Sequence, residues 1–264
     1  MPEGGEVRGF VDSINQFLGG VALIEGIVIN SGRYLRNPIE GLSDLSFPLG
    51  VETIGCKGKF IYFTFFNSDA VIFNTLGMSG SWSNRQGKHT RVTMKTSKGD
   101  LFFSDPRNFG TLKVSDRAGL KAKLDTLGPD MLSDNVSPET FIGRLRKFPE
   151  KTLAEVLMNQ GIISGVGNYL KADSLWLAKL SPHRKVSQCT DIQLYDLCLA
   201  VRSVITAAYS SGGSTILTYK GFDGNVGEHE MLVYGRKTDP NGEPVVVQET
   251  RDGRTTWWAP RVQL

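Results

Sequence analysis

Cysteine is scarce in this chain of 264 residues, and the three present, Cys56, Cys189 and Cys198, stand far apart. An odd, scattered set excludes a disulfide framework and leaves reduced thiols in apolar cores as the expectation. Histidine is equally thin. His89, His183 and His229 are isolated, and no CxxC or His/Cys pair offers zinc spacing, so no metal and no cofactor is expected. No window is long and uncharged enough for a transmembrane helix. No basic, apolar, small-residue leader opens the chain, so an intracellular protein without a membrane partner is expected. Internal repeats and low-complexity segments are also missing.

What is present is ordinary in bulk and uneven in detail. Hydrophobic residues make up 40% and suffice for one large or two medium cores. The net charge is only +3, but the basic residues cluster. Residues 50–113 hold nine Lys/Arg against four Asp/Glu, and residues 140–190 hold eight against three. Two basic regions suit a protein that grips a polyanion, although solvated charged faces would give the same count.

Periodicity divides the chain. Residues 6–19 read as an amphipathic helix, with Val7, Phe10, Val11, Ile14, Phe17 and Leu18 on one side and Gly19-Gly20 as the stop. Short segments rich in aromatic and β-branched residues follow at 21–24, 26–29, 59–66, 70–73, 91–95 and 101–103, which indicates an antiparallel sandwich or barrel. The character changes over Asp116–Ser137. Helices are expected at 138–147, 151–160, 168–179 and 191–209, the last with Thr190 and Gln193 at capping-box spacing. Residues 214–230 are Gly-rich and loop-like. Met231-Leu-Val-Tyr, Val245-Val-Val-Gln and Thr255-Thr-Trp-Trp read as tail strands.

The opening, Met1-Pro2-Glu3-Gly4-Gly5-Glu6, carries candidate chemistry. Removal of Met1 exposes a secondary amine, a nucleophile towards sugar aldehyde carbons that forms an iminium. Glu3 and Glu6 are placed to move the protons this requires. A plain start sequence is the alternative. Five later stretches line up with it: Lys57-Gly-Lys-Phe60, Leu76-Gly-Met-Ser-Gly80, Asp105-Pro-Arg-Asn-Phe-Gly110, Ser164-Gly-Val-Gly-Asn-Tyr169 and Arg254-Thr-Thr-Trp-Trp258. In this order and spacing the chain resembles the formamidopyrimidine-DNA glycosylase / endonuclease VIII family over nearly its whole length.

The resemblance implies an α+β fold of two domains. The first would be an antiparallel β-sandwich with an N-terminal helix. The second would be helical, with a helix–two-turn–helix and a β-hairpin finger. The implied boundaries are 1–130, 131–230 (with the lesion-recognition loop) and 231–264. It implies a bifunctional DNA glycosylase and abasic-site lyase acting, as a monomer, on double-stranded DNA with damaged bases or abasic sites. It would sit in the nucleus of a eukaryote and in the cytoplasm otherwise. By resemblance Pro2 is the nucleophile, Glu3 the general acid/base and Glu6 a second carboxylate ordering the nucleophile's surroundings. Lys59, which the resemblance counts with these catalytic residues, contacts the DNA backbone, as do Asn168 and Arg254. Met78, Arg107 and Phe109 fill the gap left by a flipped nucleotide. Read without the resemblance, Lys59 is also an exposed strand lysine, Glu6 a first-turn helix residue, Asn168 a helix cap, and Met78 and Phe109 core residues.

Two departures stand out. Residues 231–264 lack the four cysteines of a zinc finger, which resembles the zincless branch of eukaryotic and giant-virus enzymes, with the hairpin held by packing alone and Trp257 and Trp258 as packing residues. Gly5 stands where the family usually has proline. The zincless tail leans towards oxidised pyrimidines as substrates, while Asp105-Pro-Arg-Asn-Phe-Gly keeps oxidised and ring-opened purines open. A catalytically weak or inactive damaged-DNA-binding protein of the same fold is the alternative.

Overall fold

The computed structural model describes residues 2–216 and 220–264. The chain divides into two units. One comprises residues 1–2, 6–126 and 216–227, and the other 3–5, 127–215 and 228–264.

The first unit contains most of helix α1 (Gly4–Leu18) and eight strands. The apolar stripe of α1 forms because Val7, Phe10, Val11, Ile14 and Leu18 recur at helical spacing, and none is more than 4% exposed. The strands are β1 (Leu23–Ile29), β2 (Leu49–Lys57), β3 (Phe60–Phe65), β4 (Ala70–Thr75), β5 (Ser81–Ser83), β6 (Thr90–Thr96), β7 (Leu101–Ser104) and β8 (Thr111–Asp116). They pair antiparallel in the order β5-β7-β6-β1-β2-β3-β4-β8. The β1–β2 seam is short, with Leu23 opposite Gly50 and Ile24 opposite Leu49. The sheet folds over there. Trp82 of the edge strand β5 meets Phe63 of β3 at 5.8 Å between ring centroids, and its Nε1 donates to Asn74 Oδ1 of β4 at 2.9 Å. Strands far apart in the hydrogen-bonded order are thus face to face, which makes the sheet a sandwich. Its core joins the α1 stripe to Ile24, Phe63, Phe65, Met94 and Phe103. Helix α2 (Arg117–Asp125), capped by Asp116, closes this part of the chain.

The structure corrects the sequence reading of several strands. The two segments at 21–29 are one strand, β1. Strand β2 went unread because glycines and a Glu-Thr pair interrupt its apolar residues. Strand β5 is too short to carry a period, and β8 buries only Leu112 fully.

The second unit contains α3 (Pro138–Leu145), α4 (Leu153–Met158), α5 (Asn168–Leu177), α6 (Asp191–Ser210), and the hairpin β9 (Val246–Glu249) with β10 (Thr255–Trp258). Thr152–Glu155 and Thr190–Gln193 form reciprocal capping boxes on α4 and α6. Residues 159–167 run between α4 and α5 as tight turns. The segment 231–234, expected as a strand, is a loop. The buried Asp173 carboxylate of α5 accepts the backbone N–H groups of Leu232, Val233 and Tyr234 at 2.9, 3.0 and 3.1 Å, so no ladder forms there.

Candidate active site and nucleic-acid-binding elements

Helix α5 begins at Asn168 with no cap from its own N-cap residue, Gly167. Its first N–H groups need an acceptor. Glu3 supplies it from the other end of the sequence. One carboxylate oxygen accepts Gly167 N at 2.8 Å and Leu170 N at 3.2 Å, and the other accepts Tyr169 N at 3.0 Å. The side chain is 2% exposed and lies at the positive end of the helix dipole. The fit depends on Gly167, where a Cβ would come within 2.2 Å of the Glu3 carboxyl carbon. Gly4 N donates to Gly165 O at 2.9 Å and fixes the neighbouring backbone. Pro2, next in sequence to this carboxylate, is buried, and Glu6, 7% exposed, lies in the first turn of α1. Gly5 lies against α6, where a Cβ would stand 3.1 Å from Tyr209 N.

Lys59 is not a strand residue. It occupies the two-residue turn between β2 and β3, after Gly58 at φ +57°, and is half-buried.

Met78, Arg107 and Phe109 are brought together on two loops of the first unit. Asp105, 1% exposed, joins them. Its Oδ1 accepts the Ser79 hydroxyl at 2.6 Å and Arg107 N at 3.2 Å, and its Oδ2 accepts Gly110 N at 2.7 Å. Gly77 lies flush on Phe109 and Gly110, with room for no Cβ. Arg33 Nη2 and the Tyr34 hydroxyl donate to Gly110 O at 2.7 and 3.2 Å, and Arg91 Nε donates to Asp105 O at 2.7 Å. On this braced platform Arg107 is exposed, Met78 is half-buried and Phe109 is 59% exposed. An exposed phenyl on a rigid loop is not a core residue, so the core reading of Phe109 is corrected. The sequence singled out the three displayed side chains but not the residues that brace them.

In the second unit Asn168 Nδ2 donates to Thr255 O at 2.8 Å, tying the start of α5 to the hairpin. Arg254 is exposed on the turn joining β9 to β10. The hairpin is not held by packing alone. Lys171 of α5, wholly buried, donates to Asp252 Oδ2 and Thr256 Oγ1, both at 2.7 Å. Burial lowers the Lys171 pKa, and Asp252 opposes that shift. Packing contributes as expected. Trp257 meets Tyr234 at 4.4 Å and Trp258 meets His183 at 5.3 Å. Of the expected lesion-recognition loop, residues 217–219 lie outside the described residues. Phe222 packs on Phe17 of α1 at 5.7 Å.

Residues 1–112 match the formamidopyrimidine-DNA glycosylase N-terminal domain, and residues 127–220 match that enzyme's H2TH domain. The formamidopyrimidine-DNA glycosylase of Sphingopyxis alaskensis is 30% identical over 275 residues, covering 100% of both chains. The chain belongs to the formamidopyrimidine-DNA glycosylase family. It is accordingly a DNA glycosylase of base excision repair. The glycosylase of Brevibacillus brevis is 31% identical over 255 residues, covering 90% of each chain. Among solved structures, the MutM (Fpg) protein from Thermus thermophilus superposes with a TM-score of 0.86 at 27% identity, covering 99% of this chain and 98% of that one. The Lactococcus lactis Fpg in complex with abasic-site DNA shares the fold with a TM-score of 0.86 at 24% identity, covering 99% of each chain. The glycosylase fold of these relatives has the two parts described above, a sandwich with its N-terminal helix and a helical H2TH region.

Proposed function

We propose that this glycosylase excises oxidised bases from duplex DNA, oxidised pyrimidines foremost, with hydantoins and formamidopyrimidines also accepted, and then cuts the strand by β,δ-elimination. The observation that carries the reading is the Glu3 carboxylate, held by three backbone N–H groups one residue from Pro2. A fixed proton carrier beside a secondary amine is what Schiff-base chemistry on a sugar needs.

With Met1 removed, the Pro2 nitrogen attacks C1′ of the damaged nucleotide, and the base leaves with the glycosidic electron pair. The amine proton passes through Glu3 to the sugar ring oxygen, opening the ring and leaving an iminium. The iminium acidifies C2′. Loss of a C2′ proton expels the 3′ phosphate, a second elimination expels the 5′ phosphate, and water releases the amine. Glu6 orders the nucleophile's surroundings. Lys59 contacts phosphate beside the lesion. Asn168, whose side-chain amide holds Thr255 O, contacts the DNA backbone at the start of α5, and Arg254 grips the backbone through its forked donors. Attack at C1′ requires extrusion of the nucleotide, and Met78, Arg107 and Phe109 fill the space it leaves. The cysteine-free tail fits a zincless member of the family.

Borohydride trapping tests this reading. The protein is incubated with duplexes carrying thymine glycol, a hydantoin, 8-oxoguanine, a formamidopyrimidine or an abasic site. A covalent band strongest with thymine glycol is the expected result. A band on the abasic site alone would leave a lyase without base recognition. No band, with Met1 shown to be absent, would establish a damaged-DNA binder instead.

A further inference from the structure

The ammonium of Lys171 is bonded to the residues two before and two after Arg254. Asp252 and Thr256 flank the arginine on the turn, and both donors come from one fully buried nitrogen on α5. The turn is closed further by Thr250 N donating to Arg254 O at 3.0 Å and Gly253 N donating to Thr250 O at 2.9 Å. The Thr250 hydroxyl bonds the Asp252 carboxylate and lies 2.7 Å from Thr256 Oγ1. Every side chain of this cluster is buried, while Arg254, between Asp252 and Thr256 on the turn, is exposed beside it.

Stability does not account for a buried ion pair at this place. Desolvating two charges offsets most of their attraction, and an apolar pair of similar volume holds two elements together as well or better. What an ammonium does, and an apolar contact does not, is fix direction. Its N–H groups donate only to acceptors at set positions, so the turn is locked in one register with the arginine outward. In a tail without cysteine this polar staple does the orienting.

We propose that Lys171 is a positioning residue for DNA binding: through Asp252 and Thr256 it sets the turn that presents Arg254 to the phosphates. The proposal rests on the reading of Arg254 as a phosphate-binding residue. It assigns Lys171 no contact with DNA and no part in the chemistry.

A double-mutant cycle on the full chain tests it, with a duplex carrying a tetrahydrofuran abasic analogue as probe and affinity measured across a salt series. In the wild-type background Arg254→Ala is expected to weaken binding roughly tenfold and to flatten the salt dependence by about one ion. In a Lys171→Met background the same change is expected to alter affinity less than about twofold, because the arginine no longer has a fixed place. A full tenfold effect in both backgrounds overturns the proposal. The paired Lys171→Met/Asp252→Leu variant separates orientation from stability. It is expected to regain the wild-type melting temperature while Arg254→Ala stays silent. Recovery of the arginine effect would reduce Lys171 to a structural role. If Lys171→Met fails to fold, Asp252→Asn perturbs the same staple from the turn and must abolish the Arg254 effect for the proposal to stand. If Arg254→Ala is silent in the wild type, the phosphate reading fails on its own. Amide hydrogen exchange at Thr250 and Gly253 then decides the staple: faster exchange in the Lys171 or Asp252 variant upholds it and unchanged exchange overturns it.

Discussion

Replacing Gly167 by alanine places a methyl group 2.2 Å from the Glu3 carboxyl carbon and 2.3 Å from its Oε1. The backbone at Gly167 is extended, φ −125° and ψ −159°, so alanine fits the conformation and the whole effect comes from that contact. The neighbour that must move is the buried carboxylate itself. Hydrogen bonds to a charged group contribute roughly 1.5–3 kcal/mol each. Glu3 would abandon three, and after relaxation a loss of about 3 kcal/mol in stability is expected. The catalytic effect should be larger. A general acid/base contributes about 10²–10⁴-fold, and a displaced carboxylate forfeits most of it. Single-turnover excision on a lesion duplex measures the rate, and affinity for an abasic-analogue duplex measures binding. The expected pattern is a rate loss of at least about a hundredfold with binding changed far less. Gly143→Ala serves as control: in the interior of α3, with nothing within 4 Å of its Cβ, it should raise stability by about 0.5–1 kcal/mol and leave the rate alone. A Gly167→Ala enzyme within threefold of wild type would refute the placement of Glu3 in the chemistry.

Other outcomes follow from the same geometry. Phe109→Ala should leave the melting temperature unchanged, because the ring is 59% exposed, yet slow excision; equal rates on a lesion duplex would remove Phe109 from the wedge. Asp105→Ala strips the Ser79 hydroxyl and Gly110 N of their acceptor and leaves Arg107 N with Ser79 Oγ alone; it should cost about 3 kcal/mol in denaturant unfolding, with excision falling as the two loops come apart, and a stability loss below about 1 kcal/mol would mean the loops are held by other contacts. Gly5→Ala sets the gain of a helical alanine against a Cβ 3.1 Å from Tyr209 N, so the melting temperature should move by less than about 4 °C, and a larger fall would show that α6 cannot yield. Burial pushes the Cys198 thiol up to about 11, so it should resist alkylation at pH 8 in the folded protein and react once unfolded; rapid labelling of the native chain would contradict its buried place.

The sequence was readable where neighbours in the chain determine the outcome. The stripe of α1, the capping box of α6 and the aromatic run of β3 each carry their own period or cap, and all three form. It was unreadable where the deciding partner lies far away. Met231–Tyr234 has the composition of a strand, but its amides are taken by Asp173, about sixty positions earlier. Lys171 looks like any helix lysine, and its partner Asp252 lies 81 positions on. Asp105 reads as a turn residue before proline, and nothing local shows that it joins two loops. The displayed residues Arg107, Phe109 and Arg254 could be named from motif order. The residues that hold them could not, since a brace is defined by its partners.

The cap on α5 bears on how such a protein can be recombined. Residues 3–5 group with 127–215 and 228–264, so the helical part of the fold is not a contiguous stretch of sequence. A chimera joining residues 127–264 to the first 126 residues of another relative inherits the acceptor of its α5 amides from the other parent. Crossovers near position 126 should therefore yield folded hybrids only when that parent brings a carboxylate at position 3 and small residues after it. An exchange that moves the first five residues together with the helices should be tolerated more widely.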